Sequence, residues 1–239
     1  MDLLVRTWNL YHGRTHPKSE RTYLERMVRL ASLDAPDVVA LQEVPLWGLG
    51  RLERWSGMRV VWAVTVPSLI GPVARFVTDL DPVRVRFSVA GQANAVLLNP
   101  RFELVRHRVL VLNPEVSRWD WIVHGRQRRV CQAVDLGVGD RELVVANLHA
   151  TNNPKLAQVE AGLAAEFVRD AERCVLCGDF NVPRFAVPEF SPPIAGIDQI
   201  LVRGLTLKRS PEPWPAERRR VGELLLSDHA PVEALLSWN

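Results

Sequence analysis

The 239-residue chain is poor in several residue types, and each shortage excludes something. Its three cysteines, Cys131, Cys174 and Cys177, are too few and odd in number for a disulfide framework, which agrees with a reducing compartment. Cys174 and Cys177 have CxxC spacing. They lie, however, in an apolar run that reads as a strand, where residues i and i+3 point to opposite faces, and no second pair completes a zinc site. No apolar run approaches the roughly 18 residues needed to span a membrane. Met1 to Arg6 enters a strand-like run with no charged leader or cleavage site, so a cytoplasmic protein is expected. Long polar tracts, low-complexity blocks and solenoid-spaced repeats are missing too. Lysine occurs only at Lys18, Lys155 and Lys208, so arginine carries nearly all the positive charge. The net charge of +3 is a mild bias, short of a strong basic footprint.

What is present is apolar: 47% of residues are hydrophobic and 24% charged, ample for a packed core. Leu3 to Trp8 reads as a buried strand. Ser19 predicts the N-cap of a helix with Leu24, Met27, Val28 and Ala31 on one face. Asp37 to Leu41 is a short strand ending at Gln42-Glu43, and Pro45 opens a helical segment to Trp55. Arg59 to Val66 is another strand. Residues 67–92 mix Pro, Gly and apolar residues and read as a loop with a short helix. Ala93 to Leu98 and Glu103 to Leu112 read as neighbouring strands, followed by a Trp- and Arg-rich loop from Asn113 to Arg128. Val130 to Leu136 and Glu142 to Leu148 form a hairpin across Gly137-Val138-Gly139-Asp140.

Asn153-Pro154 opens a helix with Leu156, Val159, Leu163, Phe167 and Val168 predicted on one face. Cys174 to Cys177 is a strand, then a Pro-rich loop runs from Pro183 to Pro193. Ile197 to Val202 is a strand, Pro211 to Arg220 a polar loop, and Val232 to Leu236 a last strand. Many strands with few helices in mixed order predict an α/β (α+β) fold of two stacked sheets with helices outside, as a single domain over residues 1–239.

The polar residues fall in a pattern. Asn9 follows Val5-Arg6-Thr7-Trp8, and Glu43 follows Val38-Val39-Ala40-Leu41. Asn147 and His149 end Leu143-Val144-Val145-Ala146. Asp179 and Asn181 follow Val175-Leu176-Cys177, and Asp228 and His229 follow Leu224-Leu225-Leu226. Five apolar runs each deliver a carboxylate, amide or imidazole at or just past their ends. If those ends share one rim, the groups converge. Asn147/His149 and Asp179/Asn181 are i, i+2 pairs that face one way in extended chain. Taken singly, each is ordinary: a solvated glutamate, a capped histidine, a turn asparagine. Their joint order is what points to a site. His12, His16, His107 and His124 fall outside it.

Carboxylate and amide oxygens suit a hard cation, Mg²⁺ or Mn²⁺, with Glu43 the foremost direct ligand. Two imidazoles beside carboxylates supply proton transfer and stabilise an oxyanion at phosphorus. No nucleophilic elbow and no P-loop occur, which leaves a covalent serine route and NTP hydrolysis without support.

That order resembles the endonuclease/exonuclease/phosphatase superfamily, the deoxyribonuclease I-like fold, over essentially the whole chain. Thr7-Trp8-Asn9 resembles its first motif, with the metal-site Asn, and Leu41-Gln42-Glu43-Val44 its LQE motif, with the metal-binding Glu. Asn147-Leu148-His149-Ala150 is similar to the strand carrying the phosphate-side His. Gly178-Asp179-Phe180-Asn181 is similar to the GDFN motif, Ile197-Asp198-Gln199-Ile200 to the segment whose Asp orients the last His, and Ser227-Asp228-His229-Ala230-Pro231 to SDHxP. GDFN and SDHxP together are highly specific. The resemblance implies a four-layer sandwich, two mixed β-sheets face to face with helices on both outer sides. It implies metal-dependent cleavage of phosphoester bonds, with His149, Asp179, Asn181, Asp198 and His229 catalytic. Asn9, Glu43, Asp179, Asn181 and Asp228 are expected at the metal, and Asn147 and Arg129 at the substrate. It leaves open whether His229 or Asp179 activates the water.

The chain has only Tyr11 and Tyr23, both early, and His149 stands where exonuclease III-type relatives carry Tyr; this leans toward the deoxyribonuclease I, sphingomyelinase and small-phosphodiesterase side. Two arginine segments bear on substrate: Trp119 to Arg129, with Arg126, Arg128 and Arg129, and Trp214 to Arg220, with Arg218, Arg219 and Arg220. Arg beside Trp clamps a phosphate backbone and stacks on bases, although a solvated charged loop has the same composition. The first expectation is a monomeric nuclease on DNA, with RNA a further substrate. The alternative is a phosphodiesterase or phosphatase for a lipid headgroup or small phosphoester, with Ile70, Val73 and Phe76 supplying an apolar patch or core. A non-catalytic scaffold is the third reading, and the complete polar set argues against it.

Overall fold

The computed structural model describes residues 1–68, 91–116, 127–139 and 141–238. The first strand, β1 (Asp2–Asn9), lies between β14 (Val232–Ser237), antiparallel, and β3 (Val38–Pro45), parallel. With β11 (Thr206–Pro213), β5 (Gln92–Leu98) and β4 (Arg59–Val66) they make a six-stranded sheet in the order β11-β14-β1-β3-β5-β4. A second, five-stranded sheet has the order β10-β9-β8-β7-β6. Its strands are β6 (Glu103–Val111), β7 (Val130–Val138), β8 (Arg141–His149), β9 (Cys174–Asp179) and β10 (Asp198–Arg203). A small third sheet joins β2 (Thr15–His16), β12 (Arg220–Val221) and β13 (Leu224–Leu226).

The layers follow from period-2 alternation. Val5, Val38, Ala40, Val96, Val134, Val145, Val175 and Ile200 point inward and form the core between the large sheets. Their neighbours point out. Trp8, Val39, Leu41, Ala95 and Leu97 pack under α1 (Leu24–Ala31) and α2 (Leu52–Ser56). Cys131, Ala133, Ala146, Leu148 and Leu176 pack under α3 (Pro154–Phe167). The expected four-layer sandwich of two mixed sheets is the observed one. The CxxC cysteines split as strand geometry requires: Cys177 joins the inter-sheet core and Cys174 the outer one, both thiols free and pushed up by burial, that of Cys174 to about 12.

Four local expectations are corrected. Ser19 is not a helix cap: its Oγ accepts from Arg21 N, and α1 begins only at Leu24, with the predicted apolar face. The segment after Pro45 divides into a 3₁₀ turn, Leu46–Arg51, and the short α2. The start of the expected polar loop, Pro211 to Pro213, belongs instead to the strand β11, whose Pro211 and Pro213 are tolerated because it is an edge strand with register shifts against β14. Helix α3 also turns a different side to the sheet. Ala157, Ala161 and Ala164 are fully buried, while Leu156, Val159 and Leu163 are 46, 61 and 42% exposed. Small residues let the helix lie close on the strands, and the larger apolar ones are left outside. Of the loop expectations, residues 69–90, with Ile70, Val73 and Phe76, and 117–126, with Trp119, His124 and Arg126, lie outside the described residues, as does Asp140 of the hairpin. No helix among the described residues is long and apolar enough to cross a membrane.

Candidate active site

The C-terminal ends of β1, β3, β8 and β9 and the start of β10 meet at one rim, and the loop before β14 closes over it. Register enforces the meeting: β8 and β9 are parallel with His149 opposite Asp179, and β10 sets Asp198 opposite Asp179. Gly178 permits the approach. It has φ +134°, and a Cβ there would lie 2.0 Å from the Leu148 carbonyl oxygen. Glu43 is aimed by a β-bulge. The β3–β5 register shifts between Leu41 and Val44, and Glu43 takes φ +53°. Asn181 and Ser227 also have left-handed backbones, φ +51° and +61°, so non-glycine strain gathers at this rim.

At its centre is a dyad. His229 Nδ1 donates to Asp198 Oδ2 across 2.8 Å, and His229 Nε2 lies 3.9 Å from Asp179 Oδ2. Burial alone lowers the His229 imidazole, but the hydrogen bond and charge of Asp198, with Asp179 and Asp228 behind, hold it at about 9. Burial and the Asp198 charge push Asp179 up to about 7, against the opposing pull of His229, Asn9 and Asn181. Asn9 Nδ2 donates to Asp179 Oδ2 at 3.0 Å, and Asn181 N donates to Asp179 Oδ1 at 3.0 Å. Asn9 Oδ1 accepts from Tyr11 N, while Asn181 Nδ2 donates to Ala150 O.

Opposite the dyad stands His149, buried. Its Nε2 is 3.6 Å from Asp179 Oδ2 and 3.8 Å from Glu43 Oε1, so one imidazole marks where carboxylates of β3 and β9 converge. Arg129 Nη1 approaches both His149 ring nitrogens at 3.1 Å, and burial followed by this guanidinium pushes His149 down. Arg129 is itself buried, and among the described residues its Nε has no hydrogen-bond partner. His12, which the sequence pattern passed over, pairs with Glu43 through Nε2 and Oε2 at 3.1 Å. Burial raises the Glu43 carboxyl, but the charge and hydrogen bond of His12, then His149 and Arg129, hold it far below the carboxylate range. His12 is brought in by two successive left-handed residues, Tyr11 and His12, before Gly13. The only sequence signal for it is proximity to Asn9 and a following glycine.

The loop carrying His229 is pinned to β1. Ser227 Oγ donates to Asn9 O at 2.7 Å and accepts from His229 N at 3.1 Å, and Trp8 Nε1 donates to His229 O at 3.0 Å. Arg219 Nη1 donates to Leu226 O and Ser227 O beneath it.

Two expected site residues stand apart. Asn147 is fully buried between the sheets: Nδ2 donates to Leu41 O and Ala95 O, both at 3.0 Å, and Oδ1 accepts from Gln42 Nε2 at 2.8 Å. Its inward direction follows from strand alternation, and its side-chain bonds join the two sheets. Asp228 is exposed, its Oδ1 3.4 Å from Ser227 Oγ. Asp179, Asp198 and His229 have ligand atoms within 4.8 Å of one another. The 2.8 Å bond between Asp198 and His229 occupies one such atom on each; both Asp179 oxygens accept a hydrogen bond, while Asp198 Oδ1 has no hydrogen-bond partner among the described residues.

A family model, the Endonuclease/Exonuclease/phosphatase family, matches residues 7–229, from Thr7 of the first motif to His229 of the last. The chain belongs to the endonuclease/exonuclease/phosphatase family. It is a family of phosphoester hydrolases by its own description. Solved structures agree on the fold. An endonuclease/exonuclease/phosphatase from Beutenbergia cavernae is 18% identical with a TM-score of 0.72, covering 100% of this chain and 72% of that one. A second, from Bacteroides vulgatus, is 16% identical with a TM-score of 0.71 and full coverage of both chains. TDP2 from Caenorhabditis elegans is 14% identical with a TM-score of 0.68, covering 99% of this chain and 74% of that one. None of the curated proteins matches the sequence.

Proposed function

We propose that this member of the endonuclease/exonuclease/phosphatase family is a Mg²⁺- or Mn²⁺-dependent phosphodiesterase that directs water onto phosphorus. The observation that carries the reading is the joint placement of the Asp198–His229 dyad, Asp179, His149 and Glu43 around one rim.

The donor set fits a hard divalent cation. Glu43 and Asp179 offer carboxylate oxygens, Asn9 and Asn181 are hydrogen-bonded to Asp179, and Asp228 stands at the exposed margin. Burial first, and then the neighbouring Asp198 carboxylate, push Asp179 up, and a cation beside it would favour its charged form. A bound cation would neutralise charge on a phosphoryl oxygen and lower the pKa of a water. The chain's own groups do the rest. Asp198 takes Nδ1 of His229, which fixes the ring and presents Nε2 to the site, where it holds or moves a proton. Asn9 and the Asn181 N–H orient Asp179 for the incoming water. Arg129 and His149 face a phosphate from the other side, the unpartnered Arg129 Nε being the group that gains most from an anionic oxygen.

DNA or RNA cleavage is the finer form of this reading, and a lipid or small phosphodiester is the alternative. Among the described residues the arginine segments do not support a continuous phosphate clamp. Arg218 pairs with Asp34 at 3.1 Å and lies 3.6 Å over Trp214, and Arg219 binds backbone beneath the His229 loop. Of the exposed arginines described there, Arg128, Arg218 and Arg220, Arg218 is thus already engaged.

The test is hydrolysis of bis-p-nitrophenyl phosphate, plasmid, and single- and double-stranded oligonucleotides with Mg²⁺ or Mn²⁺, beside EDTA and His229→Ala controls. Metal-dependent hydrolysis lost in His229→Ala is the expected result. Hydrolysis indifferent to both EDTA and the substitution would remove the proposal, and the substrate that turns over fastest assigns nuclease or small-ester activity.

A further inference from the structure

Helix α3 leaves an unusual surface beside the site. Leu156, Val159 and Leu163 follow one another at helical spacing and stay substantially exposed. They line a groove of about 550 Å³ together with Leu112 and Val116. The groove runs to Arg129, the residue that touches His149 through Nη1 and has an unpartnered Nε. Apolar surface and phosphate-facing cation are thus continuous.

Charge says what the groove accepts. The described residues lining its floor and rim include Glu160 and Glu115, and burial, with Glu115 adding to it, pushes the Glu160 carboxyl up. A second phosphate would meet these carboxylates; a hydrocarbon or aryl group would not. A nucleic-acid backbone repeats its charge at every residue and is therefore the poorer fit.

We infer that this groove is the subsite for the organic half of the substrate: a phosphodiester whose phosphate sits at Arg129 and whose alkyl ester group lies along Leu156, Val159 and Leu163. The inference rests on the phosphodiesterase reading above and narrows it to esters with an apolar arm.

The experiment uses p-nitrophenyl alkyl phosphodiesters with methyl, butyl and octyl groups and a p-nitrophenyl phenyl ester to separate alkyl from aryl arms. kcat/KM is expected to climb with chain length, by up to about fourfold per methylene removed from water and roughly a hundredfold from methyl to octyl with half the added chain buried. Val159→Gln with Leu163→Gln, both surface positions that fold without them, collapses the octyl-to-methyl ratio to near one. Val105→Gln, equally apolar and exposed but outside the groove, leaves that ratio unchanged. In parallel, calorimetry with octylphosphonate and methylphosphonate reads binding without turnover.

Hydrolysis with a flat chain-length series overturns the groove and keeps the phosphodiesterase. Tighter octylphosphonate binding, lost in the double variant, with no ester hydrolysed, keeps the groove and overturns the phosphodiesterase. Equal phosphonate binding with no hydrolysis overturns both. Oligonucleotide cleavage faster than octyl ester hydrolysis, and indifferent to the double variant, also overturns the groove.

Discussion

Gln42 Nε2 donates to Asn147 Oδ1 across 2.8 Å and so joins the two large sheets directly behind the site. Gln42 also donates to Thr7 Oγ1, and Asn147 donates to two carbonyls of the opposite sheet, so the pair is a polar rivet in an apolar interface. Asn147→Ala leaves buried groups unmet and is expected to destabilise by about 2–4 kcal/mol. Urea unfolding measures this. kcat/KM of the fraction still folded, assayed well below the midpoint, should hold. A selective rise in KM with stability intact would show instead that Asn147 meets the substrate.

Gly178 separates steric necessity from mere preference. Gly178→Ala drives a Cβ into the Leu148 carbonyl at 2.0 Å, while Gly139→Ala, φ +62°, meets nothing within 4 Å. The first should cost about 3 kcal/mol or more, the second about 1 kcal/mol. Thermal unfolding of the two proteins side by side decides it; equal losses would mean that β8 and β9 part at little cost.

The Asp198–His229 dyad should behave as a unit. His229→Ala is expected to lower kcat by about 10²–10⁴ and Asp198→Asn by roughly tenfold or more. The double variant should be no worse than His229→Ala, because Asp198 acts through the ring it holds. Multiplicative losses in the double variant would assign Asp198 a separate task.

Glu160 gives a pH signature independent of catalysis. Its Oε2 accepts from Thr151 N, and burial raises its pKa above the ordinary 4.5. A raised carboxylate contributes stability that is present below pH 4.5 and lost as pH rises through the folded-state value. Glu160→Gln keeps an acceptor and removes the charge. Its Tm relative to the parent should be near equal below pH 4.5 and higher above neutrality, as calorimetry at both pH values would show. A constant difference would mean that the carboxyl is not displaced.

Metal should stabilise the fold through Glu43. At a Mn²⁺ concentration ten times Kd, a single site adds about 1.4 kcal/mol, or about 3–6 °C in Tm for a chain of this size. Glu43→Gln should lose most of that shift, and EDTA should abolish it in the parent. An undiminished shift would place the ion elsewhere.

Much of this protein was legible in its sequence because local rules and global fold agree there. Strand alternation gave both faces of β1, β3 and β9 and the opposite fates of Cys174 and Cys177, and helical spacing gave the apolar face of α1. Glu43, Asp179 and His229 were each visible as polar residues at the edges of apolar runs, and the motif order that named their family added Asp198. Their roles at a metal and a phosphate remain proposals.

Other features were settled only by packing. The sequence of α3 offers two apolar faces, one of alanines and one of larger residues. Close approach to the sheet selects the alanines, and nothing within the helix announces that preference. The end of β11, Pro211 to Pro213, reads as part of a polar loop because an edge strand needs no apolar face toward water. Asn147 looks like a site residue until the second sheet supplies its partners, and His12 looks idle until a left-handed turn carries it to Glu43. Sequence fixes what each residue can offer, since that is chemistry carried by the side chain. Which partner receives it depends on chain segments far apart in number, and only tertiary structure brings those together.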